Sequence, residues 1–399
     1  MVVCVSRIFQ RIVFAISVII FAALGLGYVL GEFGWFGVHA GDEEGAYPQI
    51  RVYAEVLRKI QNYYVTEPNI PDVTSGALHG LLDSLDPDSS YLTPEQYKLY
   101  KDRPDTENAQ VGMTVSKRYG YATIVNVLPG SPADQDHLRD GYVIDLIDGQ
   151  STHDLPLAVV RFMLAGKPGT TVSLSVVRPT KPDPEKITLT RSAAAPPPLG
   201  EQFYDNATIL YLKPGVLTAA RVDDIAARIK AAGKSRKILL DLRDTTGDDP
   251  KQGFRLANFF IKSGNLGSLE GQKVPMQVFP ADMEQCLTDA PVAVLVNRGT
   301  YGAPELAAAA IEADKRGDVV GERTFGEGGV LKTIDLPDGA ALMLTVAKYE
   351  DPAGKKIEDE AVTPTLVVSG PEDDDEPMPP ANGDEQLNQA LALLKTKSS

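Results

Sequence analysis

Residues Ile12 to Leu30 contain no charged side chain, and that run constrains the chain more than any other feature. Its length is what an α-helix needs to cross a bilayer. Arg7 and Arg11 precede it, and Glu32, Asp42, Glu43 and Glu44 follow. Basic residues stay on the cytoplasmic side of such a helix, so the short N-terminal tail is expected inside and the rest exported. The expected location is the inner (cytoplasmic) membrane, single-pass, with the bulk of the chain periplasmic. Val38-His39-Ala40 offers a cleavage site. Its distance from an unusually long apolar core favours an uncleaved anchor over a signal peptide.

The two cysteines, Cys4 and Cys286, flank the apolar run, so no internal disulfide is expected. A formal net charge of −15 over 399 residues would repel phosphates, which excludes nucleic acid as a partner.

After the first segment (1–45: tail, anchor and linker), residues 46–107 read as a helical module. Ile50, Tyr53, Val56, Leu57, Ile60 and Tyr64 recur at helical spacing. A second helix is expected around Gly76 to Leu85. Thr93-Pro94-Glu95 supplies an N-cap, a proline and an acid for a third. Residues 108–192 change texture to short β-runs and turns, with a helix from about Pro156 to Leu164. Arg191 to Pro198 reads as a stiff linker. Residues 199–371 then alternate strand and helix, as in an α/β core with helices packed on a sheet. Residues 372–399 open with an acidic, proline-containing stretch expected to be a solvated tail, with a short amphipathic helix near Glu385 to Lys395. The fold class is therefore multidomain α+β and α/β. No metal cluster, phosphate loop or dinucleotide fingerprint occurs, so no cofactor or metal is implied.

Gly130-Ser131-Pro132-Ala133, the Gly141 to Gly149 stretch and Gly166-Lys167-Pro168-Gly169 together resemble a PDZ domain, in the permuted arrangement of exported bacterial proteases. Such domains add a peptide strand to a sheet edge and hold its terminal carboxylate with backbone N–H groups. The resemblance assigns that loop to Val111, Gly112 and Met113. Gly112 would let the backbone approach the ligand, and Met113, Val159 and Met163 would line an apolar pocket.

Three further stretches resemble the C-terminal processing peptidases of the S41 serine peptidase family, whose core is of the ClpP/crotonase-like kind. They are Asp241 to Gly247, Val294 to Leu306 and Val320 to Gly328. Active members are expected to use a serine nucleophile, a lysine base and a glutamine that orients the lysine. A serine hydroxyl is a weak nucleophile until an adjacent base takes its proton. The matching positions here are Gly302, Glu327 and Leu331. The oxyanion-hole positions match Gly247 and Ala303, whose backbone donors need no particular side chain. Asp248 replaces the second glycine of that family's pair.

All four histidines (His39, His79, His137 and His153) precede the α/β segment, which excludes a Ser-His-Asp triad inside it. Thr300, with Lys332 or Lys348, is the remaining candidate for a rebuilt site. Glu305 and Glu327 are candidates for a carboxylate pair. The resemblance with its replaced residues implies an inactive pseudoprotease, and the expected partners are exported polypeptides or their C-termini, with an active paralogous protease as a further one. The alternatives are an active endopeptidase with a relocated nucleophile and a non-binding envelope scaffold.

Overall fold

A computed structural model describes residues 47–102, 109–118, 120–179, 181–193, 196–233, 236–370 and 383–397. The expected membrane anchor and the acidic stretch of the tail lie outside the described residues. Among the described residues, no helix is long and apolar enough to cross a membrane.

The chain divides into two compact units, residues 1–73 and 74–399. The first contains helix α1 (Tyr47–Tyr63), whose predicted apolar residues Ile50, Tyr53 and Val56 are exposed. Helix α2 (Ile70–Asp83) begins before the division, and its buried Leu82 belongs to the second unit.

In that unit, β1 (Ser90–Leu92) leads into α3 (Pro94–Lys101). Thr93 and Gln96 close a reciprocal capping box at the start of α3, satisfying two otherwise orphaned donors. Next comes a small antiparallel sheet of β2 (Met113–Arg118), β3 (Tyr121–Val127), β4 (Val143–Ile147), β5 (Gln150–Ser151), β6 (Thr171–Arg178) and β7 (Lys181–Thr190). Its order is β2-β3-β4-β6-β7, with β5 paired to β4. Two helices pack with it, α4 (Pro132–Gln135) and α5 (Leu157–Leu164). Inward-facing Val115, Ile124, Ile144, Leu174 and Val176 meet Leu157 and Val160 in one core.

The larger part is built on β8 (Gly200–Tyr204), β9 (Ile209–Lys213), helix α6 (Ala219–Ala232) and β10 (Lys237–Asp241). A short β11 (Thr246–Gly247), α7 (Pro250–Asn258), β12 (Asn265–Gly271) and β13 (Val274–Pro280) follow. The remaining elements are β14 (Val292–Val296), β15 (Tyr301–Gly302), α8 (Ala303–Ala313), β16 (Gly317–Gly321), β17 (Gly329–Asp335), β18 (Ala341–Glu350), α9 (Ile357–Glu360), β19 (Leu366–Val367) and α10 (Glu385–Thr396). The main sheet has order β19-β16-β14-β10-β9-β8, parallel except for β8.

Successive side chains of a strand point to opposite faces, and parallel sheets are usually covered on both. Here Leu210, Ile238, Leu240 and Val294 meet α6, α7 and α8 on one face. Ile209, Leu239, Ala293 and Leu295 face the other, where Ala390 and Leu394 of α10 cover them. The ammonium of Lys237 donates to the Leu394 carbonyl at 2.8 Å, and Arg243 binds Asp384 at α10's other end. The expected tail thus contains an element of the core. The stretch expected to be a helical module also contributes a strand: β1 pairs antiparallel with β18, Ser90 opposite Met343.

Candidate active site

Two strand-to-helix transitions, after β10 and β14, converge with the loop between β16 and β17. After β14 the chain turns through 297–300, and the turn is held by its own polar groups. Asn297 Oδ1 accepts the N–H groups of Asp244 and Gly299, while its Nδ2 donates to Asp244 Oδ1 at 2.8 Å. Thr300 is fully buried; its hydroxyl donates to the Leu242 carbonyl at 2.9 Å and accepts the Asn297 N–H at 3.0 Å.

Gly302 follows with φ of +74°, as the N-cap of α8. A β-carbon built there would lie 2.4 Å from the carbonyl oxygen of Gly247. That conformation and that approach both require glycine. Strands β11 and β15 run parallel with Gly247 opposite Gly302, and Ala303 opens α8. The two positions matched to an oxyanion hole are therefore neighbours: a β-carbon on Gly247 would lie 3.1 Å from that of Ala303.

Glu305 ties this corner to the loop before β17. It is completely buried. Its Oε2 accepts the N–H groups of Gly302 (2.9 Å) and Glu327 (2.8 Å). Its Oε1 accepts the Gly326 N–H (2.6 Å) and the Thr324 hydroxyl (2.5 Å). Burial pushes the Glu305 carboxyl up to about 7, and the four donors oppose that rise. The Glu305 carboxylate and the Glu327 backbone do meet, so the two residues are neighbours.

The side chain of Glu327 ends a polar chain. Arg161 on α5 binds Asp88 at 2.7 Å and donates to the Tyr301 hydroxyl at 3.1 Å, and that hydroxyl bonds to Glu327. Burial, then the nearby Asp88, push the Glu327 carboxyl up to about 8; Arg161 and the Tyr301 hydrogen bond pull the other way. Burial also drives the Tyr301 phenol well above its ordinary value. Burial thus favours the protonated form of Glu327.

One cleft of about 540 Å³ joins these groups to the small sheet. Gly112, Met113 and Arg161 line it on one side, and Asp248, Gly302 and Glu327 on the other. The remaining predicted peptide-binding residues are placed differently. Val111 is fully buried in the small core. Gly112, which does line the cleft, has φ of +82°, and a β-carbon there would sit 2.0 Å from Ser131 Cβ, so packing against Ser131 already requires glycine. Val159 and Met163 line a separate apolar pocket of about 170 Å³ against Leu99 and Tyr100 of α3. They are not in the cleft with Met113.

Leu331 lies on β17 opposite Thr345, partly exposed, and is not among the residues lining the cleft. Lys348 is held by Asp359 at 2.5 Å and Glu358 at 3.4 Å. Sequence reasoning missed Asp88, Arg161 and Tyr301. Arg161 had a legible signal, being the one charged residue in the apolar run Leu157 to Leu164.

The α/β core carries the small antiparallel sheet across this cleft. Residues 208–368 match the model of peptidase family S41. A carboxy-terminal-processing protease of Bartonella bacilliformis is 27% identical over 341 residues, covering 84% of this chain and 78% of that protein. A carboxyl-terminal-processing protease of Picosynechococcus is 31% identical over 299 residues, covering 73% and 72%. Among solved structures, a photosystem II D1 C-terminal processing protease superposes with a TM-score of 0.64 at 24% identity, covering 80% of this chain and 92% of that one. The chain belongs to the S41 family of carboxyl-terminal-processing proteases.

Proposed function

We propose that this family member captures polypeptide chains in the cleft without cleaving them. One observation carries the reading: the position matched to the nucleophile is Gly302, where a β-carbon would collide with the Gly247 carbonyl. The two hydroxyls just before it in the chain do not supply a substitute. Thr300 is buried and donates to Leu242, and the raised phenol of Tyr301 is a poor nucleophile. In this reading the small sheet is a PDZ domain that adds a peptide strand along β2. The ligands are exported polypeptides, recognised near their C-termini by a membrane-anchored protein that protects them or tunes an active paralogue.

A second reading, retained endopeptidase activity, has the relatives in its favour, since those above are named as proteases. It would require a nucleophile in place of Gly302. Incubation of the full-length chain in detergent with an unfolded protein, beside an active S41 enzyme, separates the two. The proposal expects intact substrate with this chain and digestion by the active enzyme. Cleavage that persists through repurification and disappears in Thr300→Ala would establish the second reading.

A further inference from the structure

We propose that the cleft selects polypeptides carrying a lysine or arginine near the C-terminus. The inference rests on the peptide-binding reading above and names the class of peptide. Among the described residues lining the cleft, Arg161 is the one basic side chain, and Asp88 already binds it at 2.7 Å. The acids lining the cleft are Asp248 and Glu327, on two separate loops that flank Gly302. At the matching positions the family resemblance expects a glycine and a lysine. This chain has an acid in place of the base at one and an added carboxylate at the other, so the space beside Gly302 now favours a cation. Leu164, Leu306 and Tyr349 line the same cavity and would pack against the aliphatic stem of such a side chain.

The geometry also gives the selection a pH signature. Glu327 is faced by Asp88 ahead of β1, Arg161 on α5, Tyr301 on β15 and Glu305 on α8. An incoming ammonium group stabilises the Glu327 carboxylate, so binding a cationic peptide expels a proton. Affinity for that peptide then rises as the pH climbs toward about 8, the value to which burial lifts Glu327. A neutral peptide gains nothing over the same range.

The test uses the full-length chain in detergent and two fluorescent peptides with free C-termini, identical except that one has lysine where the other has glutamine. The expected result is about tenfold tighter binding of the lysine peptide, a preference that grows with pH and vanishes in Asp248→Asn/Glu327→Gln. Both replacements preserve shape, and the peptide comparison needs no variant. Equal affinity for the two peptides would overturn the charge selection while leaving peptide capture standing. Binding of neither peptide would overturn peptide capture, and the selection with it.

Discussion

The two loops that meet at the cleft are built on opposite principles. The corner from Asn297 to Glu305 is largely closed on itself: Asn297 and Thr300 bond nearby backbone, and Glu305 alone takes four donors. The side chain of Glu327, by contrast, depends on a relay from Tyr301 through Arg161 to Asp88, groups drawn from distant parts of the chain. The first region presents Gly302, without a side chain, at the position the proposed function matches to the nucleophile. The second presents the acid Glu327 at the position matched to the base. Shape and chemistry are separable here, because bonds from Asn297, Thr300 and Glu305 to the backbone hold the corner although position 302 carries no side chain.

Breaking the closed corner should have the largest effect. Glu305→Ala strands four buried or partly buried donors and is expected to cost about 3–5 kcal/mol in denaturant unfolding, as removal of a buried charged partner does. If it proves as mild as a surface change, the corner is not held as described. Gly302→Ser forces a side chain into a left-handed conformation against the Gly247 carbonyl and should cost about 1–3 kcal/mol by the same measurement. Arg161→Met leaves Asp88 and the Tyr301 hydroxyl without their shared donor, for a loss of about 1–3 kcal/mol.

The open region should reveal itself through pH. Glu327 binds its proton more tightly folded than unfolded, so the unfolded chain ionises first as pH rises. Stability therefore falls between about 4.5, the ordinary value, and about 8, then levels off. Glu327→Gln should flatten that part of the slope in unfolding curves taken across the range; an unchanged slope would assign it elsewhere. The smallest effect is expected at Leu331→Gln, within about 0.5 kcal/mol, because the side chain is partly exposed on its strand.

Most of the core was legible. The uninterrupted apolar run Val292 to Val296 is a central parallel strand buried on both faces, and the helix expected from Glu305 to Ala313 begins two residues earlier, at Ala303. The docking of α10 was not legible, since a short amphipathic helix after an acidic stretch does not say which surface its apolar face will cover. Helix α5 shows the other limit. Leu157, Ala158, Val159, Val160, Phe162, Met163 and Leu164 make it apolar on nearly every side, so periodicity alone could not tell that Val159 and Met163 turn toward α3 while Arg161 turns toward the cleft. The sequence offers Glu305 only as a candidate partner for Glu327 in a carboxylate pair. Its fourfold role arises because the loop Thr324 to Glu327 folds back over the helix start, a contact between segments about twenty residues apart.

The central claim is that the cleft holds a polypeptide and leaves it whole. The most direct measurement is to incubate a lysine-bearing peptide with the full-length chain in detergent for a long period. The complex is then isolated by gel filtration, and the bound peptide weighed by intact mass spectrometry. The account predicts co-elution of the peptide at its full, unchanged mass. Recovery of shortened fragments, with an active S41 enzyme giving the same cuts, would contradict it.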